Sequence, residues 1–469
     1  MRNTMIRIKE ITIQNFKNVS YGNINFENNN NLKASILGLY GQNGSGKTTL
    51  IDAIKLLKYV MMGFQIPLSF SECINVDSNS SLFEFKFEIK NLLKDVIYNV
   101  IYSFSIKKSK NLNKKILPNE VKESEFKTEV FNEYLSYSLI KNGEVSEKMH
   151  PLIKSNDSSV IFTPKIAIKE LIGGNKDDEL NVMVAKKIAA TTSKSFIFSD
   201  ELMEIIRSKC KNNTYLYLFN SLINYSRLNL FVFDNASNAM ISFDALPLSL
   251  RLHNKNIESG GTIVLPINDN GRVRKDLLQK VKKGIENINI VLEQLVPGLT
   301  IDIRVTGEQV EEDGSISCIT HLVSNKNSRE IPLRYESEGI KKMIAILNLL
   351  INVYNEPSIT VAIDELDSGI FEYLLGELLG IISQKGKGQL IFTSHNLRPL
   401  ETISKDFVVF TTINPNNRYI RFTNVKKTNN LRDLYYKDII LGGQNETVYE
   451  KTNNHEISFA LKEAGKIND

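Results

Sequence analysis

The stretch GLYGQNGSGKTTLIDAIKLLK, Gly38 to Lys58, decides the fold. Its loop, Gly41, Gln42, Asn43, Gly44, Ser45, Gly46, Lys47 and Thr48, followed by Thr49, fits G-x-x-x-x-G-K-[ST]. Glycines in such a loop let backbone amides approach phosphates, and the helix that opens at the lysine turns its positive dipole end toward them. Lys47 is expected to reach the β and γ phosphates, and the Thr48 hydroxyl to bind magnesium. The flanks agree. ASILGLYG, before the loop, is a continuous apolar run suited to a buried parallel strand. After it, Ile51, Ile54, Leu57 and Val60 keep a helical period. The expected cofactors are therefore ATP and Mg2+.

A phosphate-loop fold needs a second, acidic strand end to complete the magnesium site. SITVAIDEL supplies it, an apolar strand running into Asp364 and Glu365. Asp364 is placed to hold magnesium through water. Glu365, one residue beyond, is placed to take a proton from the attacking water. A further strand, QLIFTSH, ends at His395. A lone histidine is usually structural, but ligands of open α/β sheets bind at the carboxyl ends of strands, and His395 suits a γ-phosphate sensor there. Upstream of the acidic strand, LRYESEGIKKMIAILNLL sets Ser337 and Gly339 directly before an amphipathic helix.

Outward from these motifs the chain alternates between β and α patterns. Ile6 to Ile13 is a period-two strand, and SLFEFKFEIK and VIYNVIYSFSIKK read as an antiparallel pair. The lysine-rich stretch from Lys107 to Lys127 reads as a solvated loop, with a nucleic-acid contact as the sharper alternative. Val273, Leu277, Val281, Ile285, Ile288, Leu292 and Leu295 predict one helix, stopped by Pro297 and Gly298. LTIDIRVTGEQVEEDGSISCITHLVS reads as a hairpin with its turn at Glu311 to Gly314. The expected organisation is α/β. Residues 1–65 and 298–425 form two parts of an ATPase core around an antiparallel β subdomain (66–165) and a mainly helical insertion (166–297). A peripheral tail, 426–469, follows.

Composition sets bounds. The 469 residues are 42% hydrophobic and 24% charged, with a net charge of +5, which is ordinary for a globular protein and too mildly basic for a dedicated nucleic-acid binder. Cys73, Cys210 and Cys318 are isolated, so neither a zinc site nor a disulfide framework is expected. No apolar run approaches the ~20 residues of a membrane span, and the N-terminus lacks an apolar signal core. A cytoplasmic location is expected.

The order of phosphate loop, S-x-G before a helix, strand ending in Asp-Glu and strand ending in His resembles the ABC-type ATPases, within them the SMC, RecF and OLD branch. IRIKEITIQNFKNV is similar to that branch's N-terminal strand. ENINIVLEQLVPGLTIDI is similar to a segment of the RecF/OLD-like AAA family ATPases found beside bacterial anti-phage systems. The likeness covers about residues 1–65 and 285–425. It implies a P-loop head in which Ser337 and Gly339 contact the γ-phosphate bound in an opposite subunit, with Asp367 at the dimer seam. It also implies a magnesium-sensing glutamine after the first helix, for which Gln65 is the nearby candidate. Two departures stand out: Glu338 replaces the usual glycine after the signature serine, and Ile340 the usual Gln or Glu. Both argue against a transporter subunit, as does the long separation of Lys47 from Asp364. An SMC or zinc-hook repair ATPase would need long heptad arms, and a hook also CxxC; this sequence has neither.

Two readings remain. In the first, the chain is an ATPase that dimerises, or forms a higher homo-oligomer, around ATP and acts as sensor and switch for a separate effector protein in anti-phage defence. OLD proteins carry a Toprim nuclease after the ATPase; here the tail shows no acidic D-x-D and leaves little room for one. In the second, it is a RecF-like DNA-repair ATPase that engages DNA.

Overall fold

The computed structural model describes residues 4–26, 35–111, 125–156, 161–234, 244–254, 257–423 and 430–465. In chain order its first half carries β1 (Thr4–Phe16), β2 (Val19–Asn25), β3 (Ser35–Tyr40), α1 (Lys47–Met61), a short α2 (Leu68–Glu72), β4 (Ser80–Asn91), β5 (Val96–Lys110), β6 (Phe126–Lys141) and β7 (Glu144–Ser155). Then follow α3 (Lys165–Ile172), α4 (Lys176–Thr191), α5 (Asp200–Lys209), α6 (Asn213–Leu228), β8 (Leu230–Phe233), β9 (Ala245–Asn254), β10 (Ile257–Pro266), β11 (Gly271–Arg274), α7 (Leu278–Leu295), β12 (Leu299–Val310), β13 (Ile316–Lys326) and β14 (Arg329–Pro332). The last part holds α8 (Glu338–Asn355), β15 (Thr360–Ile363), α9 (Glu372–Lys385), β16 (Gln389–Thr393), α10 (Pro399–Thr402), β17 (Val408–Thr411), β18 (Tyr419–Ile420), α11 (Leu431–Leu441) and α12 (Asn454–Ala464).

Two large sheets organise the molecule. One is antiparallel, in the order β2-β1-β4-β5-β6-β7. Its strands alternate cleanly: Phe83, Phe85, Phe87 and Ile89 of β4 are buried while their neighbours are partly exposed. The second runs β18-β17-β3-β16-β15-β8 and is parallel except for β18. Its strands are short, apolar and buried on both faces, because each face has its own core. Leu37 and Leu39 of β3 point into the core shared with α1 and the antiparallel sheet. Ile36 and Tyr40 of the same strand point into the core shared with α7, α8 and α9.

A buried glutamine joins the sheets. Gln389, 1% exposed at the start of β16, accepts a hydrogen bond from Ile8 N at 2.9 Å and donates to Ile8 O at 2.8 Å. It meets β1 beside a register shift between Ile8 and Glu10, where the ladder leaves those backbone groups available. Tyr225 and Thr360 extend the network. Gln389→Leu strands a buried N–H and a buried C=O, so a loss of about 2–4 kcal/mol in unfolding free energy is expected by urea denaturation. A loss below about 0.5 kcal/mol, the size of an ordinary surface substitution, would show that the bolt is not needed.

The structure corrects several boundaries. The insertion is helical only as far as Leu228; Asn175, Ser199 and Asn212 cap its helices with side-chain hydrogen bonds. Leu230–Phe233 then forms β8, the edge of the parallel sheet, so a strand of the core lies inside the stretch read as insertion. The helix expected from Val273 starts instead at Leu278. Gly271–Arg274 pairs with β13, and Val273 is buried opposite Cys318. The 311–314 turn forms as expected, with Gly314 at φ +79°. β5 continues to Lys110 and β6 begins at Phe126, so both ends of the lysine-rich stretch are strand, and its middle, 112–124, lies outside the described residues. The tail is not wholly peripheral: Leu431, Tyr435 and Val448 are buried, and Tyr435 stacks on Phe410 at 4.9 Å. Among the described residues no helix is long and apolar enough to cross a membrane.

Candidate functional site: a phosphate-loop cleft

The parallel sheet brings the motifs together at the carboxyl ends of three adjacent strands. β3 delivers the phosphate loop, β15 leads directly into Asp364, and β16, which leads to His395, lies between them. A cleft of about 680 Å³ opens there. Asn43, Gly44, Gly46, Lys47, Thr48, Thr49, Asp364, Glu365, Asp367 and His395 all line it. That volume lies in the usual range for a small-molecule or cofactor site.

The loop is held from outside. Asn18, on the turn between β1 and β2, donates to Gly44 O. Tyr419 OH donates to Gly46 O at 2.8 Å, and Ser45 Oγ to Gln42 O at 2.6 Å. A Cβ on Gly41 would stand 1.8 Å from Thr411 Oγ1, so only glycine fits against the end of β17. The tail also reaches the loop, since Glu450 N donates to Gln42 Oε1 at 3.0 Å. Lys47 Nζ donates to Gly41 O at 2.8 Å and to Gln42 O at 3.0 Å. Burial lowers its pKa, against the pull of Asp364, Asp367 and Glu365.

The acidic side is equally ordered. Asp364 is 7% exposed. Its Oδ1 accepts from Thr393 Oγ1 at 2.6 Å and lies 3.4 Å from Thr48 Oγ1. A hydroxyl and a carboxylate side by side are oxygen donors of the kind magnesium takes, few in number and alongside water and phosphate. Glu365 is exposed to the cleft, and its backbone sits at φ +49°, in the left-handed region. For a non-glycine residue that conformation costs about 1–3 kcal/mol, and such strain clusters at functional sites. Its N–H donates to Thr393 Oγ1 at 2.7 Å.

Not every predicted residue reaches the cleft. Gln65 is exposed and lies beyond the C-terminal end of α1, whose 15 residues carry it roughly 22 Å from the loop. It is not placed to sense magnesium bound there. Ser337 and Gly339 are not among the lining residues. Ser337 is exposed and caps α8, accepting from Ile340 N. Asp367 has a role within the chain: its Oδ2 accepts from His395 N at 3.1 Å and Asn396 N at 2.9 Å, fixing the loop that carries the histidine.

Four lining residues, Lys17, Asn18, Ser368 and Thr393, were given no role from sequence. Lys17 and Asn18 stand in the NFKNV segment, where the signal was a polar pair ending a strand pattern. Lys17 forms an ion pair with Asp52. Burial would lower its pKa, but the pair outweighs burial and the net shift is upward. Thr393 was hidden in FTSH, whose histidine drew the reading.

A protein-family model described as "AAA domain, putative AbiEii toxin, Type IV TA system" matches residues 36–400. No curated protein matches the sequence. Among solved structures, the Smc head domain with an extended coiled coil bound to the C-terminal domain of ScpA, derived from Pyrococcus furiosus, is 12% identical. It covers 89% of this chain and 96% of its own, with a TM-score of 0.39. The SMC head domain from Thermotoga maritima is 13% identical, covering 89% and 99%, with a TM-score of 0.33. Both similarities are low, and the P-loop ATPase head is carried instead by strand order and motif placement.

Proposed function

We propose that this chain, which belongs to that AAA-domain family, hydrolyses ATP in a head-to-head dimer with two shared sites and uses the cycle to switch a partner effector. The observation that supports the reading is a separation. Lys47, Thr48, Asp364, Glu365 and His395 line one cleft, whereas the exposed Ser337 cap and Gly339 lie outside it. A helix N-terminus is an anion site in waiting, and in a dimer a second copy would bring it to the γ-phosphate.

In this reading the loop amides and Lys47 bind the phosphates, and Thr48 with Asp364 holds magnesium. The metal held by Thr48 and Asp364 would supply positive charge to offset that of the phosphates. Glu365 takes a proton from the attacking water, and His395 orients the γ-phosphate. The triphosphate then favours the closed dimer because it contacts both copies only there. The family description, which names a toxin of a toxin–antitoxin system, supports a defence setting in which turnover governs a toxic activity.

Light scattering with magnesium and a non-hydrolysable ATP analogue tests the shared site. The particle mass is expected to double relative to ADP or no nucleotide. An unchanged mass at saturating analogue would refute the composite site.

A further inference from the structure

We propose that Lys342 is a positioning residue for hydrolysis: it ties the S-x-G helix to the peptide of Glu365, so that a contact made at Ser337 and Gly339 reaches the chain's own catalytic carboxylate. The inference rests on the ATPase reading above and deepens it.

Lys342 lies on α8, five residues after Ser337, and is only 6% exposed. Its ammonium donates to Glu365 O at 2.5 Å. The Glu365 residue is therefore gripped on both sides, its N–H by Thr393 Oγ1 and its carbonyl by Lys342 Nζ. These two bonds hold the left-handed φ of +49° that aims the side chain into the cleft. Without them the backbone would be free to relax toward an ordinary conformation and carry the carboxylate with it.

The same helix face makes a second contact. Gly339, three residues earlier and so on the same side of α8, packs against the loop after β15. A Cβ there would stand 2.1 Å from Gly369 O. Contact between two backbones leaves no flexible side chain to absorb a shift. A displacement at the start of α8 is passed to the 364–369 loop at two points, Gly339 on Gly369 and Lys342 on Glu365. Asp364, Glu365 and Asp367 face Lys342 from that loop, and their charge keeps an ammonium in place despite burial, which lowers its pKa to about 8. Burying a lysine is costly, and an apolar residue would fill the space between α8 and the loop at less cost if packing were its only role.

In a shared-site dimer, the nucleotide of one subunit touches Ser337 of the other. Lys342 then links that contact to the second subunit's Glu365, so the two sites fire in concert.

The test compares Lys342→Met, which keeps the stem, and Lys342→Arg, which keeps a charged donor, with Lys341→Met. Lys341 is as buried on the same helix but pairs with Glu338 and Asn268, away from Glu365. Lys342→Met is expected to lower kcat by about 10- to 100-fold, the scale of a misplaced catalytic group. KM and analogue affinity should stay within about twofold, and the Hill coefficient for ATP should fall toward one. Lys342→Arg should recover most of kcat, while Lys341→Met should lower the melting temperature without that kcat loss. The proposal is overturned if Lys342→Met keeps wild-type kcat. It is equally overturned if kcat falls only together with KM and melting temperature, with no rescue by arginine. Glu365→Gln, assayed alongside, separates the failures. An active Glu365→Gln overturns both readings, whereas an inactive one beside an active Lys342→Met overturns this inference alone. Should Lys342→Met not fold, the kcat and KM of Lys342→Arg against wild type decide the matter: retained kcat supports the charged donor, and loss of kcat refutes it.

Discussion

Glu365→Gln is expected to slow phosphate release at saturating ATP by at least about 100-fold, the lower range for a lost general base, while ATP affinity stays within a few-fold. The amide is nearly isosteric and leaves the main-chain grip on the residue intact: its N–H still meets Thr393 and its carbonyl still meets Lys342. Lys47, Thr48 and Asp364, which hold the nucleotide and its metal in this reading, are untouched. Because binding survives and turnover does not, the variant should accumulate with ATP as a species of doubled mass that wild type reaches only transiently. Hydrolysis at the wild-type rate would remove Glu365 from the chemistry and with it the meaning of its strained backbone.

A mixture of Lys47→Ala and Ser337→Arg subunits should regain activity that neither variant has alone. Lys47→Ala removes the ammonium at the phosphate loop. Ser337→Arg sets a bulky side chain on the exposed cap of α8, where it blocks a facing nucleotide without entering its own cleft. Each homodimer then has two dead sites, and losses of more than about 100-fold are expected for each. In a mixed dimer one site combines both lesions and the other combines neither. With free exchange about half of the dimers are mixed, so about a quarter of the sites are intact. Activity returns, but to less than a quarter of wild type, because each intact site takes its Glu365 from the Ser337→Arg subunit, where the relay through Lys342 is blocked. If Ser337 served its own chain's nucleotide, no mixture would recover activity. If Ser337 did nothing, the Ser337→Arg protein would be active by itself.

The sequence was readable where chemistry demands particular residues at fixed spacing. The phosphate loop, the Asp364–Glu365 strand end and His395 all stand on the strand ends expected of them, and one cleft collects them. The place of Ser337 was readable too, since it directly precedes α8, whereas Gly339, expected before the helix, falls in its first turn. Gln65 failed because nearness in sequence to α1 placed it at the wrong end of a helix. β8 was missed because LFVF is four residues long and follows directly on a helical pattern. A run so short has no period of its own, and only its pairing with β15 makes it a strand. Val273 was assigned to a helix for the related reason that one apolar residue fits several periods.

Local rules therefore placed the elements that meet at the cleft: glycine spacing for the loop, an apolar run into acids for the strand end, alternation for the antiparallel sheet. Only the tertiary structure could decide what depends on groups far apart in the chain. Gln389 meeting Ile8, Thr393 bridging Asp364 and Glu365, Lys342 gripping the Glu365 carbonyl and Glu450 reaching Gln42 are of this kind. Each is a hydrogen bond between partners that carry no mark in sequence, because any buried polar group needs a partner and the fold alone determines which one it finds.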